Sequence, residues 1–274
     1  MTNQPESFQV LKINKKLLLN GLILFWAIII LFLALADVFL NFYEWIDSRA
    51  IQRLVNITKD DGLPNWFSSI QLLAIAIVLW IIMFVLLYSK PNLIRKKTEK
   101  LGWGLSSLFF TYLAVDDGSK MHERVGTAFR NSIEARHEYN PGFISNLFEI
   151  FPSYGWQFVF IPIFGFTAIF ILLFLFNNLK TKKQFILVFL GFVCYAISVF
   201  IDFFEGMEEE GIYDGIMLFF DTDLYGFGHF TRLIEEVFEM VGNTFFMFAF
   251  TQQLISLAEN WKIQLVDSIK GKEN

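Results

Sequence analysis

Six stretches of this chain contain no aspartate, glutamate, lysine or arginine: 17–36, 62–89, 101–115, 150–179, 184–201 and 240–258. A helix that crosses a bilayer needs roughly 20 apolar residues, about 17–25 in practice. The helix is the form that satisfies every backbone hydrogen bond within one such segment. The third run is short on its own, but no breaker separates it from the acidic segment Asp116 to Glu123. The sixth extends backwards through Glu239, Glu236 and Glu235 to about Arg232. The pattern predicts an all-α fold, a polytopic membrane bundle of six transmembrane helices at about 17–40, 66–88, 101–123, 153–178, 184–204 and 231–257. With no Pro- or Ser-rich linker and no long-period repeat, residues 1–274 read as a single integral-membrane domain.

Composition agrees. Hydrophobic residues make up 55% of the chain and charged residues 18%, against about 25% charged in a typical soluble domain. Thirty-five phenylalanines fill apolar surface without bringing polar atoms. A disordered chain is excluded, as are a disulfide scaffold, since Cys194 is alone, and a basic nucleic-acid binder. The expected partner is membrane lipid, with no nucleic acid.

Basic residues set the orientation. The N-terminal tail, residues 90–100, residues 180–183 and the C-terminal tail together carry 14 basic and 5 acidic residues, with Lys12, Lys90, Arg95, Lys96 and Lys262 among the basic ones. Segments 37–61, 116–149 and 202–239 carry 8 basic and 22 acidic residues. With an even helix count, both termini are expected in the cytoplasm and the acidic segments outside. Lys12 to Lys16, an apolar run and Ala34-Leu35-Ala36 also resemble a signal peptide. The run is long for one, and an uncleaved first helix is the preferred reading. Residues 41–57 mix apolar and charged positions in a helix-like way that suits the membrane interface. The aromatic, glycine-rich segment 211–230 reads as an interfacial loop, with a lid over the outer face as the alternative.

The functional signal is a layer of acids. The first helix ends in Asp37, the third in Asp116, Asp117, His122 and Glu123, and the fifth in Asp202 and Glu205. The sixth begins with Glu235, Glu236 and Glu239. At about 1.5 Å per residue, all lie within roughly two turns of one boundary. Ionisable groups at such depth are costly unless they face a cavity, pair or bind an ion. Against these nine acids stand Lys120, Arg124, Arg232 and His122. Protons shared among clustered carboxylates, or a cation, are needed to complete the balance.

Helical geometry sorts the set. Asp116, Lys120 and Glu123 share a stripe, which predicts an Asp116–Lys120 pair, and Glu236 aligns with Arg232 as a second i,i+4 pair. Glu235 and Glu239 stand one turn apart, with Gly242 continuing their stripe. His122 shares a face with Gly118, whose missing side chain leaves room for an approaching group. Carboxylates one turn apart on one helix, facing an acid and a histidine on another, form a bundle-core metal constellation. The candidate ligands are Asp116, Asp117, His122, Asp202, Glu235 and Glu239. A divalent ion, zinc, manganese or iron, suits oxygen and imidazole donors. Glu123 or Glu236 is then the candidate general base for a metal-bound water.

There is no HExxH motif, cysteine cluster, Walker loop or dinucleotide fingerprint. His229 precedes the sixth helix and reads equally as a member of the layer or as a surface residue. His137 reads as solvated. Ser68 and Ser69 are expected to bond backbone carbonyls or to cap their helix.

Three segments, LPNWFSSIQLLAIAI (63–77), FTYLAVDDGSKMHERVG (110–126) and EEVFEMVGNTFF (235–246), together resemble an uncharacterised family of bacterial multi-pass membrane proteins. Its members share WFSS entering a helix, an acidic pair followed by His-Glu-Arg, and EE-x-x-EM-x-G in a late helix. Here the pair is Asp116-Asp117, where the family pattern usually reads Asp-Glu. The resemblance implies a bacterial inner (plasma) membrane location and a special role for Asp116, Asp117, His122, Glu123, Glu235, Glu236 and Glu239. It implies no reaction. Membrane hydrolases such as alkaline ceramidase are a looser comparison. They need three histidines, an aspartate and a serine, whereas this chain has three histidines in all, none paired as HxxxH.

Three functions follow. The leading one is a divalent-metal-dependent hydrolase acting from the extracytoplasmic side on a lipid or lipid-linked substrate. The second is an ion or proton transporter, which would need polar groups continuing towards the cytoplasm and for which a homo-oligomer is left open. The third is a non-catalytic subunit or cation sensor, or acids that only fix helix packing.

Overall fold

The computed structural model describes residues 14–89, 97–137, 142–207, 217–219 and 223–257. Lys12, Lys90, Arg95, Lys96 and the C-terminal lysines lie outside these residues, as do 211–216 and 220–222 of the lid-like segment. Among the described residues every regular element is a helix.

Helix α1 (Lys15–Asp37) starts at Asn14, whose side-chain oxygen accepts the backbone N–H groups of Lys16 and Leu17. Two of the orphan donors of a helix start are thereby satisfied. A wider π turn (Val38–Phe42) continues it. A short α2 (Arg49–Val55) follows, within the segment expected at the interface. Helix α3 (Leu63–Phe84) carries Pro64 in its first turn, where a missing N–H breaks no helical bond. Then come α4 (Lys97–Ser119), α5 (Met121–His137), α6 (Phe143–Ile150), α7 (Gly155–Asn178), α8 (Lys182–Glu205) and α9 (Leu224–Ser256).

Four helical segments are long and apolar enough to cross a membrane: Lys15–Phe42, Leu63–Tyr88, Gly155–Asn178 and Lys182–Glu205. The other two expected spans, α4 and α9, have the length, at 23 and 33 residues. Their charges set them apart: α4 carries Asp116 and Asp117, and α9 carries Arg232, Glu235, Glu236 and Glu239. Helix α9 packs against α8, α3 and α1, and α4 packs chiefly against α3. The polar helix α9 is thus enclosed by apolar ones.

The main core joins Leu72, Ile75 and Leu79 of α3, Phe110 of α4, Leu175 of α7, and Phe246 and Phe250 of α9. Glycine sets the α8–α9 approach. A Cβ on Gly242 would stand 3.1 Å from the Gly191 carbonyl oxygen, so the two backbones meet where neither carries a side chain.

Two helix ends differ from expectation. The third predicted helix does not run to Glu123: it stops at Ser119, and Lys120 adopts φ 50°, after which α5 sets off afresh. The last helix begins at Leu224 rather than near 231, because the Asp223 carboxylate caps it by accepting the Gly226 N–H at 2.7 Å. Residues 224–230 of the lid-like segment are therefore helical and part of α9.

Candidate functional site

A cavity of about 550 Å³ opens among α3, α4, α7, α8 and α9. Its walls are apolar along most of their length, with Phe109, Leu113, Phe164, Leu172, Phe192 and Val199 among them. One end is acidic. All eight residues singled out from the sequence line it: Asp116, Asp117, His122, Glu123, Asp202, Glu235, Glu236 and Glu239. Lys120 joins them, so seven carboxylates share the lining with one lysine and one histidine.

The turn at Lys120 builds the most defined part. The Asp116 carbonyl accepts the Lys120 N–H at 2.6 Å, closing α4. The left-handed Lys120 then reverses the chain, and Asp116 Oδ1 accepts the His122 N–H at 2.8 Å and the Tyr112 hydroxyl at 3.2 Å. Asp116 Oδ2 takes the His122 Nδ1. One buried carboxylate therefore both caps α5 and fixes the imidazole, leaving Nε2 as the nitrogen not held by Asp116. The ring is braced edge-on by Trp156 at a centroid distance of 4.4 Å, and by Phe160 and Phe164, all from α7.

Asp117 turns the other way and accepts the Ser69 hydroxyl at 2.6 Å. Gly118 lets this happen: a Cβ there would stand 3.3 Å from Ser69 Oγ. The expectation that Ser69 bonds a backbone carbonyl or caps its helix is thus corrected, because the nearer acceptor is a carboxylate on α4. Ser68 is buried and accepts from Asn243 Nδ2 at 3.4 Å, and Asn243 Oδ1 accepts the Tyr195 hydroxyl at 2.8 Å.

Lys120 is the cavity's own cation. Its Nζ lies 3.7 Å from Glu123 and 3.8 Å from Asp60, within the field of Glu236, Glu239 and Asp117. The expected Asp116–Lys120 pair does not form, because the break in α4 removes the i,i+4 register and Asp116 is taken by His122. On the opposite side, Asp202 accepts Gln157 Nε2 at 2.6 Å, and Glu235 lies in the field of Glu239, Asp202, Glu236 and Glu205. Arg232 bonds Glu205 of α8 rather than its helical neighbour Glu236. An interhelical carboxylate lies within reach of the guanidinium, and the bond ties α9 to α8.

His229 is buried and belongs to a different place. Its Nε2 donates to Asp37 Oδ2 at 2.7 Å, joining α9 to the end of α1 outside the cavity. This separates Asp37 from the acid layer in which the sequence grouped it.

The predicted ligand set shares one cavity, but its members are spread around the rim. Among the described residues no group of three or more His, Cys, Asp or Glu side chains is arranged to hold a metal ion. His122 and Asp116 are engaged with each other, and Asp117 with Ser69. Sequence reasoning missed Lys120 as the central cation, Gln157 as the partner of Asp202, and Tyr195 and Trp156 in the lining. Gln157 and Tyr195 did leave a signal, as polar groups inside otherwise apolar runs.

A family model described as "Domain of unknown function (DUF8692)" matches residues 21–254. That range includes every residue lining the cavity, from Leu72 to Phe246. No curated protein and no solved structure matches the chain.

Proposed function

The chain belongs to the DUF8692 family, and we propose that it is an integral-membrane enzyme that hydrolyses an amphiphile held in the acid-ended cavity. One observation carries this reading: His122, locked by Asp116, sits at the junction of an apolar chamber and a ring of carboxylates. Fixing Nδ1 with a buried carboxylate is how a histidine is set up to act as a base through its other nitrogen. His122 Nε2 takes a proton from water as the water oxygen attacks the acyl carbon of an ester or amide. The acyl C–O or C–N bond then breaks, and the proton taken up by His122 passes, through Glu123 or Glu236, to the leaving oxygen or nitrogen. A metal-dependent form would draw on Asp117, Asp202, Glu235 and Glu239 for zinc, manganese or iron, which would polarise the acyl oxygen, and these side chains, spread around the rim, would have to converge to hold it.

The floor of the cavity supports reaction over transit. Leu72, Phe110 and Phe246 line it, and beyond the Tyr195 hydroxyl, which is bonded to Asn243, the lining towards the far end is apolar among the described residues. Placement belongs to the same proposal: α4 and α9 complete six spans in a bacterial inner membrane, both termini are cytoplasmic, and the acidic end faces the extracytoplasmic side.

The test is turnover. Purified protein in lipid–detergent micelles is incubated with a total bacterial membrane-lipid extract, and products are read by mass spectrometry. Wild type is expected to release hydrolysis products, and His122→Ala and Asp116→Asn to be slower by about 10²–10⁴-fold. Activity lost to a chelator and restored by one ion identifies the metal-dependent form. Wild type indistinguishable from His122→Ala overturns the hydrolytic reading.

A further inference from the structure

Resting on the cavity reading above, we infer that the site favours a single-chain amphiphile with a cationic head, of the class of a long-chain primary amine, the product that hydrolysis of its amide would release. Three independent features lead there: the shape of the chamber, where it opens, and which of its charges are already matched.

The chamber is elongated. On α8 its lining runs from Phe189 to Asp202 and on α7 from Trp156 to Leu172, about 20 Å and about 24 Å of helix. Its volume of about 550 Å³ is within the roughly 300–1,000 Å³ of sites that enclose one small ligand. A narrow apolar length of this size takes one hydrocarbon chain.

The chamber opens sideways, between α7 and α8. Ile169 and Phe189 both line it, yet they are 56% and 49% exposed, so each has one face inside and one on the apolar outer surface. At Gly165, which also lines it, an added Cβ would meet nothing within 4 Å. A chain can therefore reach the acidic end from the hydrocarbon without crossing the polar boundary.

The charges at the head are unevenly matched. Lys120 serves the side formed by Glu123, Glu236, Glu239 and Asp117. On the α8 side, Arg232 is taken by Glu205, and Asp202 has only the neutral amide of Gln157. Among the described residues no hydrogen bond or ion pair reaches the Glu235 carboxylate, although it lines the cavity. A carboxylate or phosphate head would add a further acid to a site already crowded with carboxyl groups. An ammonium would meet two acceptors, and hydrogen bonds to charged groups contribute enough for a difference of about tenfold or more.

Protein in phosphatidylcholine nanodiscs is titrated with hexadecylamine, hexadecanol and palmitate, and tryptophan fluorescence is read, with Trp156 in the cavity as reporter. Hexadecylamine is expected to bind at least about tenfold tighter than hexadecanol, and palmitate to bind most weakly. Glu235→Gln with Asp202→Asn should erase the preference for the amine, bringing its affinity to that of hexadecanol for the same variant. Gly165→Phe fills the chamber without altering a charge, and should abolish binding of all three. Equal binding of the three probes, each lost in Gly165→Phe, overturns the cationic head and leaves the amphiphile cavity standing. Binding that Gly165→Phe does not change, or no binding of any probe, overturns the cavity reading itself.

Discussion

The pair Asp37–His229 supplies a test of how this bundle is held together. Asp37 is completely buried at the end of α1. Its Oδ2 accepts from His229 Nε2 at 2.7 Å, and its Oδ1 accepts the Ile57 N–H at 3.0 Å and Asn41 Nδ2 at 3.1 Å. One carboxylate thus joins α1, the connection leading into α3, and α9. In His229→Ala the carboxylate loses one donor of three, and a hydrogen bond to a charged group contributes about 1.5–3 kcal/mol. In Asp37→Ala three donors lose an acceptor. Asn41 keeps a second acceptor in the Gln52 carbonyl at 3.2 Å, so the orphans are the His229 ring and the buried Ile57 N–H. At about 1–3 kcal/mol each, the loss is about 2–6 kcal/mol, a range that brackets the roughly 3–5 kcal/mol for removing one member of a buried pair.

The double variant has no carboxylate for His229 to serve, so it should cost little more than Asp37→Ala alone. The coupling is therefore expected at about 1.5–3 kcal/mol. The assay is reversible unfolding in detergent micelles by SDS titration, followed by far-UV circular dichroism for all four corners of the cycle. A coupling below about 0.5 kcal/mol, or His229→Ala costing more than Asp37→Ala, would falsify this account of the pair. Neither variant should alter ligand binding, because neither residue lines the cavity.

Two further outcomes are expected with the same unfolding measurement. Lys120→Gly and Lys120→Met both remove the cation among the acids, but only glycine relieves the left-handed backbone at φ 50°. The glycine variant should be the more stable by about 1–2 kcal/mol, and equal stabilities would show that the turn carries no strain. Gly126→Ala places a methyl group 2.3 Å from the Trp156 Cα, a backbone atom that cannot rotate away. It should cost about 1–3 kcal/mol, while Gly21→Ala, with nothing within 4 Å, should cost nothing; equal effects at the two sites would refute the close α5–α7 approach.

The helices themselves were legible because uncharged runs of bilayer length admit few alternatives. The end of α4 was not, since the residue that breaks it is a lysine, with no proline or glycine at the break to announce it. What holds the break is the Asp116 side chain folding forward onto the His122 N–H, a tertiary choice among several local ones. The start of α9 was obscured by Gly226 and Gly228, which argue against helix, while the compensating cap, Asp223, lies just before them. The depth argument gathered the seven acids and His122 that line the cavity, because helix rise alone fixes depth, and it drew in Asp37 and Glu205, which do not line it. It could not say which groups face each other around the rim. Arg232 could reach Glu236 on its own helix as readily as Glu205 on another, and only packing decides for Glu205. Asp37 and His229 lie 192 residues apart, and no local pattern links them.

The two aspartate–histidine pairs differ in their surroundings. Chemically they are the same unit, a carboxylate fixing an imidazole, and both sit at the acidic end of the bundle. Around His229 the space is closed: the ring is buried, packed on edge by Phe42, and bonded at Nε2. That pair can only hold helices together. His122 is bonded through Nδ1 instead, and its residue lines a chamber with apolar walls. The position of the bond decides which nitrogen remains for chemistry, and the cavity decides what can reach it. Residue type and depth place both pairs in one layer; whether the imidazole is enclosed or lines the cavity is decided by its neighbours, Phe42 beside the end of α1 in one case and the aromatic side chains of α7 in the other.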